Sequence, residues 1–478
     1  MDSTLYDLVV IGSGPAGEKG ALTAAFFGKR VLLVEKSRLL GGAVANTGTL
    51  PSKTLRETAL ALSGFRAREL YGVDLSLRRE VTIADFMRHE KVVASEERAR
   101  IAHYLERLGV TVVHGHGSFV DPHTLRVTGA DGERLLRAKV FLIATGSSPL
   151  RPPEFSFADE RVCDSDGILR LKTFPRSVVV VGAGVIGSEY ACTLAALGAS
   201  VHLIDGRDRL LPSLDAEVSA GLAVAMQHLG VVFHWNERVT SCEMPPRTGA
   251  VTVHLSSGTS LQADTVLVAA GRSSNTADLG LDKAGVNIGK RGLIPVDATY
   301  RTNVPHIYAA GDVIGAPALA ATGAEQARVA MSHAFDLDFK SEIAPVLPYG
   351  IYTIPEASMV GETEESLRAK GESYVVGKAL YRENGRGTII GDRHGFLKLL
   401  FRRRDLKLLG VHVLGEQASE VVHVGLVALL VDGGFDLFNR IAFNYPTLGV
   451  LYQRAAYEAA IAARADGMDI TARPNAQQ

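Results

Sequence analysis

Short apolar runs that break into glycine set the rhythm of this chain. Asp7-Leu8-Val9-Val10-Ile11 is a nearly unbroken apolar run of strand length, the pattern of a parallel strand buried on both faces. It leads straight into Gly12-Ser13-Gly14-Pro15-Ala16-Gly17 and an alanine-rich stretch that predicts a helix ending near Gly28. A second apolar run, Arg30-Val31-Leu32-Leu33-Val34, closes in Glu35. Strand, glycine turn, helix, strand and acid follow in the order that a dinucleotide-binding βαβ unit requires. The first glycine permits the tight turn, the second lets the backbone approach a pyrophosphate, and the third lets helix pack closely on strand, with phosphate on the helix N-terminus. Glu35 is placed to accept hydrogen bonds from an adenosine ribose.

The unit recurs. Val178-Val179-Val180-Val181 runs into Gly182-Ala183-Gly184-Val185-Ile186-Gly187, and Val201-His202-Leu203-Ile204 closes in Asp205. In both copies the acid lies 18 residues after the third glycine. One loop of this kind arises readily by coincidence; two in matching context point to two nucleotide sites. Phe141-Leu142-Ile143-Ala144-Thr145-Gly146 and Val266-Leu267-Val268-Ala269-Ala270-Gly271-Arg272 are further short strands ending in glycine, where the chain would pass between nucleotide domains. Ile307-Tyr308-Ala309-Ala310-Gly311-Asp312 ends in an acid that suits a polyol hydroxyl or, alternatively, a solvated turn. The alanine-rich helix from about Leu319 would offer its N-terminus to an anionic ring edge. Towards the C-terminus lie Ile351-Tyr352-Thr353-Ile354-Pro355-Glu356, strands expected around Gly395 to Phe401, and Gly410-Val411-His412-Val413-Leu414-Gly415, followed by helical sequence. Arg402-Arg403-Arg404-Asp405 is read as a solvated hairpin turn.

Composition narrows the classes. With 478 residues, 46% of them hydrophobic, the chain can form two or three domains, each with its own core. A formal net charge of −1 gives no basic excess for nucleic acid or a membrane surface. Apolar stretches such as Val178–Val181 and Val427–Val431 fall far short of the roughly 20 residues of a membrane helix. No basic region followed by a long apolar segment opens the chain, so no signal peptide is read. Three scattered cysteines, Cys163, Cys192 and Cys242, form no CxxC pair, so neither a disulfide framework nor a metal site is indicated, and a reducing cytoplasm is expected.

Over essentially its whole length the chain resembles the pyridine nucleotide-disulfide oxidoreductases, the family of dihydrolipoamide dehydrogenase, glutathione reductase and mercuric reductase. Within that family it is most similar to the soluble pyridine nucleotide transhydrogenases. The closer match lies in Asn46-Thr47-Gly48-Thr49-Leu50-Pro51-Ser52-Lys53-Thr54-Leu55-Arg56-Glu57 and Phe443-Asn444-Tyr445-Pro446-Thr447. The segment Gly41 to Lys53 has the shape of the family's redox-active site, but Val44 and Thr49 stand where the disulfide reductases carry their two cysteines. A valine and an unactivated threonine cannot form a mixed disulfide. Tyr445 and Val450 likewise stand where the reductases carry a histidine and, five residues on, a glutamate.

The resemblance implies an α/β chain of two Rossmann-like dinucleotide-binding domains plus a C-terminal α+β dimerisation domain. The implied layout is an FAD-binding domain over 1–150, an NAD(P)-binding domain over 151–272, a second FAD part over 273–345, a dimerisation domain over 346–472 and a disordered tail over 473–478. It implies FAD, NAD(H) and NADP(H), a homodimer with higher assembly left open, and hydride exchange between NADPH/NADP and NADH/NAD by a ping-pong route. Lys53 and Glu189 resemble the family's lysine–glutamate pair beside flavin N5, where a positive charge favours reduced flavin. A solvated helix residue, with Pro51 at the first helical position, is the plain alternative for Lys53, and an exposed helix residue for Glu189. Tyr445 is expected either to cap the other subunit's flavin or to pack in the interface. Thr49 is placed to bond the flavin, and Gly12, Gly14, Gly17, Glu35, Thr145, Gly146 and Asp312 belong to the FAD site. Gly182, Gly184, Gly187, Asp205, Arg207, Gly271 and Arg272 belong to the nicotinamide side. Asp205 suits free ribose hydroxyls, whereas Arg207 and Arg209 suit a 2′-phosphate; a site for both cofactors and an NAD site with two surface arginines stay open. An NAD(P)H oxidase or quinone reductase of the same fold and a non-enzymatic scaffold are the competing readings.

Overall fold

The computed structural model describes residues 5–64, 82–245 and 249–468. The expected disordered tail, 473–478, lies outside them.

The two glycine-punctuated units each build a parallel sheet. In the first, strand Leu5–Ile11 lies between Val31–Glu35 and the long strand Gly132–Ile143, with Thr111–His114 at one edge. The N-terminal half of the long strand turns antiparallel onto Thr124–Gly129 and His116–Asp121, and its C-terminal end takes Ile307–Ala309 alongside in parallel. Ile11 pairs with Ile143, so Gly12 and the Ala144-Thr145-Gly146 turn leave the sheet side by side at its carboxyl edge. Ligands of open α/β sheets sit at such an edge.

The second sheet has the order Val231–Trp235, Ser200–Asp205, Ser177–Val181, Thr265–Val268, Val162–Asp164, all parallel. A three-stranded antiparallel sheet, Val239–Glu243, Val251–Leu255 and Ser260–Ala263, shares a core with one face of it. Chain passage between the two sheets runs through a two-stranded ribbon in which Ser147–Pro149 pairs antiparallel with Arg272–Ser274, and the Leu150 N–H donates to Gly271 O at 3.0 Å.

The C-terminal region is a five-stranded antiparallel sheet, ordered Tyr349–Ile351, Ala357–Gly361, Leu408–Leu414, Phe396–Arg402, Tyr374–Leu380. Helices Ala418–Leu430 and Val450–Ala465 share a core with it. The expected hairpin turn is present, with Arg402 clamped on Asp405. Lys398, in the middle of that sheet, is buried, and its ammonium lies among Asp215 (2.8 Å), Glu217 (3.1 Å) and Glu364. Asp215 caps the helix Ala216–His228 of the second nucleotide unit, so this charge cluster ties that unit to the C-terminal sheet.

One core runs through all three parts. Leu55, Ala59 and Leu60 of helix Thr49–Leu62 pack with Ala191, Cys192 and Ala195 of helix Val185–Ala196, and with Ile351, Ile354 and Leu414. That helix starts at Thr49, so Pro51 is its third residue and not its first. The difference is physically small, because every N–H of the first turn lacks an intrahelical partner and proline forfeits nothing there.

Candidate active site

The outer glycines of each loop are required by the protein itself. A Cβ on Gly12 would lie 2.4 Å from Ala144 O, and one on Gly17 would lie 1.8 Å from Gly12 O; the corresponding contacts at Gly182 and Gly187 are 2.5 Å to Ala269 O and 1.9 Å to Gly182 O. The middle glycines differ. A Cβ on Gly14 would meet only Gly42 Cα at 4.0 Å, and one on Gly184 would meet nothing within 4 Å. Neither Gly14 nor Gly184 has a side chain with which to cap its helix, so the first-turn N–H groups of both helices have no side-chain cap. Uncapped donors at a helix N-terminus beside a cleared backbone suit an anion such as a pyrophosphate, so both loops fit a dinucleotide. Gly184→Ala is expected to hold folding stability within about 1 kcal/mol yet weaken NAD and NADP alike by about tenfold, measured by thermal unfolding and by titration. Unchanged affinity for both would place the pyrophosphate elsewhere.

The acids of the two units are buried and preoriented. Glu35 Oε2 accepts from the Ser13 N–H (2.9 Å) and hydroxyl (2.6 Å), and Oε1 accepts from the Ser37 N–H at 2.8 Å. Ser13 Oγ also accepts from the Gly41 N–H (2.9 Å), joining the first loop to the segment that follows the acid. Asp205 Oδ2 accepts from the Ala183 N–H at 2.7 Å, and Arg207 folds back onto both carboxylate oxygens. Arg209 donates to Pro212 O at 2.7 Å.

Thr145, Gly146, Arg272 and Asp312 come together through three residues that the sequence did not single out. Ser147 Oγ donates to Asp312 Oδ2 (2.6 Å) and accepts from Arg272 Nε (2.8 Å). Asn275 Nδ2 donates to Thr145 O, while Thr145 Oγ1 donates to Asn275 O. Gln326 Oε1 accepts from the Gly311 N–H, fixing the turn before Asp312. Ser147 was traceable only by its place next to Gly146, and Asn275 and Gln326 had no local signal. The helix Ala320–Ala334 presents an uncapped N-terminus after Leu319.

Lys53 and Glu189, 136 residues apart, meet: Nζ donates to Oε2 at 2.6 Å. Glu189 Oε1 accepts from the Tyr352 N–H at 3.0 Å, and Lys53 Nζ lies 5.0 Å from the centre of the Tyr352 ring. Glu189 is buried and Lys53 about a quarter exposed, so neither is a freely solvated helix residue. Burial pushes the Tyr352 phenol up, which keeps the ring beside Lys53 neutral. Tyr352 escaped sequence reasoning.

Val44 lies half-buried in the short helix Gly42–Asn46, and Thr49 is exposed at the head of the next helix. Cys163 and Cys192 are buried, and burial, with Asp164 beside Cys163, pushes each thiol up to about 12. Neither supplies a thiolate at neutral pH. Tyr445 is 71% exposed on the C-terminal region, its hydroxyl over Gly385. Among the described residues, no helix is long and apolar enough to cross a membrane.

The model of the pyridine nucleotide-disulphide oxidoreductases matches residues 6–334, and that of the family's dimerisation domain matches 347–456. The chain is 46% identical to a soluble pyridine nucleotide transhydrogenase of Mycobacterium tuberculosis, over 95% of this chain and 97% of that protein. It is 41% identical to one of Chromohalobacter salexigens, over 94% and 97%. Among solved structures it is similar to LpdA from Mycobacterium tuberculosis (TM-score 0.87, 30% identity, 94% of this chain and 99% of that one). It is also similar to the HOCl-induced flavoprotein disulfide reductase RclA from Escherichia coli (TM-score 0.85, 25% identity, 95% and 99%).

Proposed function

The chain belongs to the pyridine nucleotide-disulphide oxidoreductase family, and we propose that it is a cytoplasmic, homodimeric transhydrogenase that passes hydride between NADPH/NADP and NADH/NAD without a disulfide relay. It is a flavoprotein oxidoreductase that uses FAD and NAD(P)(H). The observation that carries the proposal is the Lys53–Glu189 bridge, closed at 2.6 Å between the two nucleotide units, beside a segment from which both thiols are gone. When bound, FAD supplies a two-electron carrier that can take hydride from a reduced nicotinamide and return it to an oxidised one.

The chain's residues bind, orient and polarise. Gly12, Gly14 and Gly17 cradle the FAD pyrophosphate, Glu35 takes the ribose hydroxyls, and Asp312, steadied by Ser147 and Arg272, takes the polyol chain beside Thr145 and Gly146. Gly182, Gly184 and Gly187 cradle the nicotinamide dinucleotide, with Gly271 and Arg272 at the passage between the sites. Lys53 places a positive charge near the hydride-accepting position, and Glu189 holds that ammonium in place. Val44 and Thr49 fill the place of the thiols, with Thr49 at the flavin, and Tyr445 closes the same face from the partner subunit. Both nicotinamide rings have the same intrinsic chemistry, so direction follows cofactor ratios, and orientation in a water-poor pocket is what the protein supplies.

The test is anaerobic stopped-flow. NADPH and NADH should each bleach the flavin, and the opposite oxidised nucleotide should restore it. Bleaching by one nucleotide, with recovery only on admitting oxygen or a quinone, would establish the oxidase or quinone reductase instead.

A further inference from the structure

The second nucleotide loop carries a charge arrangement that the first lacks. Glu35 accepts from uncharged donors only, those of Ser13 and Ser37. Asp205, its counterpart, is gripped by a guanidinium: Arg207 Nε lies 2.8 Å from Oδ1 and Nη2 2.7 Å from Oδ2, and the Arg207 N–H adds a bond of 2.9 Å. Burial would push the Asp205 carboxyl up, but the Arg207 fork and the Ala183 N–H hold it below its ordinary value. A carboxylate compensated in this way repels a neighbouring phosphate far less than a bare one.

A second guanidinium lies against Gly206. A Cβ built on Gly206 would stand 3.4 Å from Arg238 Nε, 3.6 Å from its Cγ and 3.9 Å from its Cζ. Arg238 is exposed and follows strand Val231–Trp235. The turn that carries it is pinned to the loop by Asn236 N–H to Arg207 O (3.0 Å) and Glu237 N–H to Asp205 O (3.1 Å). The adjacent carboxylate, Glu237, is engaged by Ser256 and Ser257. Among the described residues, the one hydrogen bond of Arg238 beyond ordinary backbone pairing is from its own N–H to Ser256 Oγ, and its guanidinium has no carboxylate partner there. Arg209, by contrast, is turned to Pro212 O and lies 3.9 Å from Glu365.

We propose that Arg238, acting with Arg207, recognises the 2′-phosphate of NADP(H) and so determines how the second loop discriminates NADP from NAD. The inference rests on the reading of that loop as the site shared by both nicotinamide cofactors. NADP and NAD differ only in this phosphate. An exposed guanidinium beside Gly206, next to the ribose acid and with no carboxylate partner among the described residues, can form charge-assisted hydrogen bonds to it. Arg238 stands in the turn after strand Val231–Trp235 and Arg207 in the loop after strand Ser200–Asp205, 31 positions earlier in the chain.

The probes are 2′,5′-ADP and 5′-AMP, titrated into the FAD-loaded parent, Arg238→Met, Arg238→Lys and Arg209→Met. Arg238→Met is expected to weaken 2′,5′-ADP by about tenfold while 5′-AMP binding stays as in the parent, which also shows that the loop is folded. Arg238→Lys should recover part of the loss, and Arg209→Met should discriminate as the parent does. Equal weakening of both probes by Arg238→Met, or of neither, would overturn the proposal. Hydride exchange by the parent is scored separately. A parent that fails to exchange hydride, but whose preference for 2′,5′-ADP depends on Arg238, would sink the transhydrogenase reading and leave the phosphate site standing.

Discussion

Lys53→Met is expected to slow anaerobic bleaching of the flavin by either nicotinamide by about 10²- to 10³-fold, in a protein that still binds FAD. Methionine keeps the length and the apolar stem of lysine but removes the charge that Glu189 holds at 2.6 Å. The loss should therefore fall on the rate of hydride arrival more than on nucleotide affinity. The substitution also leaves Glu189 buried, with the Tyr352 N–H as its remaining partner at 3.0 Å, and an uncompensated buried carboxylate destabilises a fold. Lys53→Met with Glu189→Gln separates the two effects: stability should return while the rate stays low. Glu189→Gln alone should cost less than Lys53→Met, because the ammonium remains, held less firmly. Bleaching by Lys53→Met at the parent rate would remove the lysine from the chemistry.

Lys398→Met is expected to lower folding stability by about 3–5 kcal/mol, read as a drop in the denaturation midpoint. Lys398 is buried in the C-terminal sheet, and Asp215 at 2.8 Å is buried with it. Removing the cation strands a carboxylate that cannot reach water. Burial pushes the Asp215 carboxyl up, and the basic groups facing it, His412 and Lys398, bring it below its ordinary value. Burial holds His412 down and neutral, so Lys398 supplies the charge at neutral pH. Burial also opposes the shifts of Glu217 and Glu364, and Lys378, Lys398 and Tyr374 overcome it. Burial would lower Lys398 itself, but Asp215 and Glu364 raise it. The carboxylates therefore contribute fully above about pH 5 and lose that contribution as pH falls through their depressed values. Lys398 contributes fully below about pH 10 and loses its share only as pH rises through its elevated value. Parent and variant should differ by a constant amount from pH 6 to 9 and converge in acid. A gap that persisted at a pH below the depressed values of these carboxylates would assign the loss to packing.

What the sequence disclosed was what its chemistry keeps local. Each glycine loop, its strands and its acid fall within one short stretch, and their spacing alone placed Gly12, Gly182, Glu35 and Asp205. Lys53 and Glu189 are 136 residues apart, and only the resemblance joined them; nothing in their spacing does. Ser147, Asn275, Gln326 and Tyr352 act through hydrogen bonds across the fold, and as isolated polar residues they look like any others. Arg238 was hidden because it stands in a different turn from Asp205 and Arg207, after the neighbouring strand, and only the pairing of those two strands brings it to Gly206. Lys398 was the most opaque. In Phe396-Leu397-Lys398-Leu399-Leu400 it reads as the outward-facing polar position of a half-buried strand, yet the Asp215-capped helix covers that face and Lys398 is wholly enclosed.

The ribbon of Ser147–Pro149 against Arg272–Ser274 makes the entire second nucleotide unit a parenthesis in the chain. Its opening and closing residues are hydrogen-bonded neighbours, so the first unit's sheet would keep its strand order if 151–271 were excised and the gap closed by a short link. Genetic insertion of a dinucleotide module there would disturb no strand pairing of the host. Covalently the unit is dispensable to its host, but the host without it would have a lysine at position 53 and no glutamate to hold it.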